Sequence, residues 1–178
     1  MLTNLEDVIM FASLAHNDQK MYEPKVSYLT HVVSVASNVL EAYYNGKEKF
    51  DLDYALKVAI LHDTLEDTNA TYDDIASKFG EEVARGVKAL TKDENIEKDD
   101  RMMDSIKRIK ECRREVAIVK LADRVYNLRC APESWSKEKI EGYKKEGQFI
   151  YDELYLNNEY LANKLKDRIE KYSSAKGR

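Results

Sequence analysis

The run from Ala55 to Asp67 constrains this chain more than any other segment. Its first seven residues, Ala55-Leu56-Lys57-Val58-Ala59-Ile60-Leu61, are apolar except for Lys57, and they pass directly into His62-Asp63-Thr64-Leu65-Glu66-Asp67. A helix that is apolar around nearly its whole circumference belongs inside a bundle rather than on its surface. Its polar end must then sit in, or at the mouth of, the same core. His62 and Glu66 are four apart, as are Asp63 and Asp67, so each pair is expected to project from nearly one side of a helix. Burying acids beside a histidine is unfavourable unless a cation or a dense hydrogen-bond network compensates. A metal site meets that requirement most simply.

The remaining apolar residues repeat with the same helical period. Leu5, Val8, Ile9 and Ala12 mark a first helix, opened by a capping box at Thr3-x-x-Glu6. Val32, Val35, Ala36, Val39, Leu40 and Tyr43 mark a second, ending near Asn45-Gly46. Asp53 is expected to cap the helix that carries the His62 run, and Thr71 a short helix closed by Phe79-Gly80. Further helices are expected through Val83 to Leu90, Asp100 to Cys112, Glu115 to Arg129, Ser136 to Leu154 and Asn157 to Tyr172, with Lys92 to Asp100 a charged connection. Six glycines and two prolines in 178 residues leave little material for a turn-rich β fold. The expectation is an all-α, single-domain helical bundle over residues 1–172, with 173–178 a disordered tail.

A net charge of −4 provides no basic footprint for a nucleic-acid polymer, although a local group of Lys and Arg can still hold a single nucleotide. Cys112 and Cys130 form neither a C-x-x-C pair nor a disulfide framework, so reduced thiols in the cytoplasm are expected. No apolar stretch approaches the ~18 residues of a membrane span, and no secretory leader is visible. An oligomer remains possible.

A hydrolytic metal site needs nitrogen and oxygen ligands and an open position. His31, in the first turn of the second helix, points inward with Val35, and with His62 and Asp63 it supplies three candidates. Asp123, which shares a helical face with Asn127, is a fourth. His16 is expected to make a structural hydrogen bond or to support a ligand rather than bind metal itself.

These residues carry a resemblance. The pattern H…HD…D, filled by His31, His62-Asp63 and Asp123, resembles the HD-domain metal-dependent phosphohydrolases. The extension His62-Asp63-x-x-Glu66-Asp67, with Phe79-Gly80 and Leu121-Ala122-Asp123-Arg124-x-Tyr126-Asn127-Leu128, is similar to the hydrolase domain of the RelA/SpoT homologues and to small alarmone hydrolases. The resemblance implies the HD-domain bundle and a manganese (Mn2+) enzyme that removes pyrophosphate from the 3′ position of a guanosine 3′-diphosphate 5′-(di/tri)phosphate, ppGpp or pppGpp. It implies a metal held by His31, His62, Asp63 and Asp123. Glu66 and Asp67 would orient the attacking water or shuttle its proton, and Lys98, Asn127 and Tyr143 match positions that contact substrate. A chain of this length is expected to be a hydrolase only.

Two departures concern the substrate. Lys20-Met21-Tyr22 stands where the family carries a basic Arg or Arg-Lys, leaving Lys20 or Lys25 as substitutes without a planar bidentate fork. Cys130 stands near a position where long members place a Thr. Two alternatives follow: an HD phosphohydrolase for another nucleotide, and a non-catalytic nucleotide-binding module.

Overall fold

A computed structural model describes residues 4–173. The helices are α1 (Leu5–Ala15), α2 (Leu29–Asn45), α3 (Leu52–Leu61), α4 (Thr64–Asp67), α5 (Tyr72–Phe79), α6 (Glu81–Leu90), α7 (Arg101–Lys110), α8 (Arg114–Asn127), α9 (Lys137–Leu154) and α10 (Glu159–Lys171), with a 3-10 turn at Tyr155–Asn157 before the last. Among the described residues there is no β-sheet; Lys20 and Ser27 form an isolated antiparallel bridge. The molecule is an all-α helical bundle. None of the described helices is long and apolar enough to cross a membrane.

Two helices form the centre because they are buried on every side. In α3 each residue from Tyr54 to Leu61 is buried, and in α8 each residue from Glu115 to Val125. They pack against one another and against α2. Of the apolar positions read from α2, Val32, Val35, Ala36 and Val39 face this centre, while Leu40 is exposed and Tyr43 packs against Tyr44 and Phe50. The first turn of α2, the C-terminal end of α3 and the second half of α8 meet at one place.

The helix ends show where local chemistry decides. Thr71 and Asp74 form the reciprocal capping box of α5, and Gly80 ends that helix at φ 96°, a left-handed value that favours glycine. Ser136 caps α9 and Asn158 caps α10. The cap of α3 is Asp51, which accepts from the Tyr54 amide at 3.1 Å, and not Asp53, which pairs with Lys57 at 2.6 Å. Asn4 caps α1 by accepting from the Glu6 amide. Thr3 of the expected capping box, and all but the first residue of the expected tail, lie outside the described residues.

The largest difference from expectation falls inside the opening motif. The run is not one helix: α3 stops at Leu61, and the four-residue α4 begins at Thr64. His62 Nδ1 donates to the Ala59 carbonyl (2.8 Å) and Thr64 Oγ1 to that of Leu61 (2.7 Å). Those side chains occupy carbonyls that end the helix, so the polar residues that define the motif also break it.

Candidate metal centre and cleft

His62 sits at the C-cap of α3, and its Nδ1–H bond to Ala59 leaves Nε2 as a lone pair directed away from the helix. His31, in the first turn of α2, brings its own Nε2 to 3.1 Å from that atom. Asp63 Oδ2 lies 2.9 Å from His62 Nε2 and 3.2 Å from His31 Nε2, and Asp123 Oδ1 lies 3.8 Å and 3.5 Å from the same two atoms. The three helices that meet at the centre thus bring all four residues together.

The acceptor atoms of His31, His62 and Asp63, with Asp123 just beyond them, repel unless positive charge stands among them. A cation about 2.1 Å from each donor would set adjacent donors about 3.0–3.4 Å apart. His31, His62 and Asp63 stand close to that spacing, within 4.8 Å of one another, and Asp123 stands further out, 3.5 Å and 3.8 Å from the two imidazoles. Two imidazoles and two carboxylates also form a donor set suited to divalent transition metals. The fit extends to the residues behind them. Tyr28 Oη donates to Asp63 Oδ2 at 2.5 Å, Asn127 Nδ2 to Asp123 Oδ1 at 2.6 Å, and Lys120 Nζ stands 3.6 Å from Asp123 Oδ2. Such bonds hold ligating carboxylates in a fixed orientation.

The electrostatics of the buried groups make the same demand. Burial pulls the His62 imidazole down, yet the negative charges of Asp63 and Asp123 raise it to about 9. Burial pushes Asp63 up, but His62 and His31 outweigh it and hold the carboxyl well below its ordinary range. Asp123 is lowered likewise, against its burial, by Lys120 and the two histidines. Burial first, and then Asp63, push the Tyr28 hydroxyl far up, so it remains a donor.

The four residues lie at the floor of a cleft of about 330 Å³. Glu66 and Asp67 are on its rim. Glu66 Oε2 accepts from the Lys92 amide at 2.9 Å, and Asp67 Oδ2 accepts from Gln19 Nε2 at 3.1 Å. On the opposite wall Tyr143 packs edge-on against Trp135 (5.1 Å) and beneath the guanidinium of Arg124 (4.6 Å), which also bonds to Glu146.

Asn127 and Tyr143 therefore line the cleft, although the Asn127 amide is already engaged with Asp123. Lys20 and Lys98 do not line it. Lys20 is exposed on the bridge to Ser27, and the next residue, Met21, turns inward with its sulfur 3.5 Å from Tyr126 Oη. Lys98 stays exposed in the connection before α7. The lysines and arginines in the cleft walls are instead Lys92, Lys120, Arg124 and Arg129. His16 makes no contact with the four-residue cluster: its Nδ1 bonds to Gln19 Oε1 at 2.7 Å.

Sequence reasoning missed Tyr28, Lys120 and Lys92. The first two stand three residues before His31 and Asp123, which is helical spacing and a usable signal. Lys92 reaches Glu66 only through the tertiary fold.

A helical bundle that gathers a histidine, a His-Asp pair and a distant aspartate at the floor of one cleft has the arrangement of an HD domain. The HD domain family model matches residues 9–158, and the chain belongs to that family. It is 35% identical over 144 residues to the guanosine-3′,5′-bis(diphosphate) 3′-pyrophosphohydrolase MESH1 of Danio rerio, covering 78% of this chain and 77% of that protein. Homo sapiens MESH1 is 32% identical over 161 residues, covering 88% and 87% of the two chains. A solved structure described as a metazoan ortholog of SpoT that hydrolyses ppGpp superposes with a TM-score of 0.81 at 27% identity, covering 94% of each chain.

Proposed function

We propose that this chain is a metal-dependent 3′-pyrophosphohydrolase of ppGpp and pppGpp. The observation that carries the proposal is the set of four convergent acceptors on the cleft floor with two further carboxylates on the rim above them. The activity named for the MESH1 relatives supports the same chemistry. In this proposal His31, His62, Asp63 and Asp123 hold a divalent ion, with manganese as the metal. When bound, such an ion supplies Lewis acidity and makes a water acidic enough to act near neutral pH.

The chain's own residues do the rest. Asp67 and Glu66 orient the attacking water and accept its proton, and their anchors at Gln19 and the Lys92 amide keep them from swinging into solvent. Tyr28 and Asn127 hold Asp63 and Asp123 in place. Tyr143 and Trp135 form an aromatic wall for the purine, with the Arg124 guanidinium over the Tyr143 ring, and Lys92 and Arg129 on the cleft walls would meet phosphate oxygens. A reducing compartment, the cytoplasm, suits two thiols that are both free.

A second reading rests on one observation. Met21 and Tyr22 of the altered stretch line the cleft together with Glu23, whose carboxylate, held by the Glu133 amide at 3.0 Å, brings negative charge toward a polyphosphate. That favours a nucleotide with fewer phosphates at this wall. Incubation with manganese and a nucleotide panel separates the possibilities. Pyrophosphate released from ppGpp is the expected result, orthophosphate from another nucleotide would establish the second reading, and binding without turnover would overturn both.

A further inference from the structure

We propose that Gln19 is a positioning residue that aims Asp67, and that His16 acts on the site through Gln19. The inference rests on the hydrolytic role given to Asp67 above.

The chemistry of the donors dictates the orientation. An ionised carboxylate only accepts, so the amide nitrogen of Gln19 must face Asp67 Oδ2, at 3.1 Å. Its oxygen then faces His16 Nδ1, at 2.7 Å, so that nitrogen must carry the proton. One carboxylate thereby fixes an amide orientation and a histidine tautomer. His16 is only 2% exposed, and its Nε2 is buried without a partner, so the ring's polar bonding in the structure goes to Gln19. Its face rests against Tyr28, with ring centroids 4.9 Å apart.

The backbone pins Gln19 as firmly as its side chain does. Its amide donates to the His16 carbonyl and its carbonyl accepts from the Tyr28 amide, both at 3.0 Å. The departure from the family pattern at Lys20-Met21-Tyr22 thus lies between two fixed points. One of them, Gln19, holds Asp67, and the other, Tyr28, holds Asp63. Asp67 is exposed and carried on a four-residue helix, so little else restricts its rotamer. With Oδ2 held by Gln19, Oδ1 is left to receive a proton from water.

The test uses the full chain with manganese and ppGpp. Gln19→Leu is expected to lower kcat about 10- to 100-fold, with KM, manganese affinity and thermal midpoint close to wild type. His16→Leu should lower kcat by less, while His16→Asn, which keeps a donor near the Nδ1 position, should restore it. The double variant His16→Leu/Gln19→Leu should be no slower than Gln19→Leu, because both act along one path. Unchanged kcat in Gln19→Leu, or losses that multiply in the double variant, would overturn the proposal. A second measurement stands apart from turnover. Nitrogen-15 NMR of the metal-free protein should find His16 protonated at Nδ1, and that proton should lose its hydrogen-bonded shift in Gln19→Leu. An Nε2–H tautomer in wild type would sink the inference even if the variants fail to fold. Should wild type leave ppGpp intact, the proposed function falls and the NMR result alone decides the His16–Gln19–Asp67 chain.

Discussion

His62 joins the core to the chemistry, since one ring nitrogen closes α3 and the other faces three acceptors. His62→Ala should therefore remove bound metal and turnover together, as metal analysis and the ppGpp assay would reveal. Glu66→Ala should separate the two: the metal stays, and kcat falls about 100-fold or more if Glu66 handles the water. An unchanged rate would remove Glu66 from that role. Tyr28→Phe deletes only the hydroxyl that donates to Asp63, and should weaken manganese binding about tenfold in a titration. At this scale the pairing of His62 with Asp63 was legible in the sequence, because the two are adjacent and follow an apolar run. The partners at Tyr28 and Lys120 were not singled out, although each stands at helical spacing from a candidate ligand.

The elements show which helix signals are local and which are not. Asp51 and Asp53 are equally suited to cap α3 by residue type, and packing chose Asp51, where Arg113 reaches the carboxylate at 2.9 Å. The Tyr54 amide, and after it Arg113, lower the Asp51 carboxyl below its ordinary value. Stability from this cap is thus fully present above the unfolded carboxylate pKa of about 3.9 and is lost as pH falls through the lower folded value. Asp51→Ala should cost about 1 kcal/mol at neutral pH by denaturant unfolding, and the gap from wild type should close in acid. A gap that persisted in acid would assign the loss to something other than the charge. Gly86 marks the close approach of α6 to the centre: an added Cβ would stand 2.7 Å from Tyr54 Oη and 3.2 Å from Val116. Gly86→Ala is expected to destabilise by about 1–3 kcal/mol through overpacking, in spite of alanine's better helix propensity. Periodicity extends α3 through the motif where the structure starts the separate α4, because periodicity cannot register side chains competing for backbone carbonyls.

Across the whole molecule the candidate ligands tie α2, the α3–α4 junction and α8 to one point. A bound ion at a hundred times its dissociation constant adds about 2.7 kcal/mol to stability. For a chain of this size, chelation should then lower the thermal midpoint by about 5–10 °C. An identical midpoint with and without chelator would argue against a metal bridging those helices. Taken alone, the sequence determined the helices, the buried character of α3 and the pairing of His62 with Asp63, since each follows from residues within a turn or two of one another. Asp123 was a candidate through the H…HD…D pattern, and the tertiary structure decided how it meets His62 from a helix about 60 residues away, that Gln19 and Tyr28 hold two of the acids, and that Lys92 and Arg129 rather than Lys20 and Lys98 stand in the cleft walls. Helical periodicity tells a side chain which way to face on its own axis. Only the packing of one axis against another determines what it meets there.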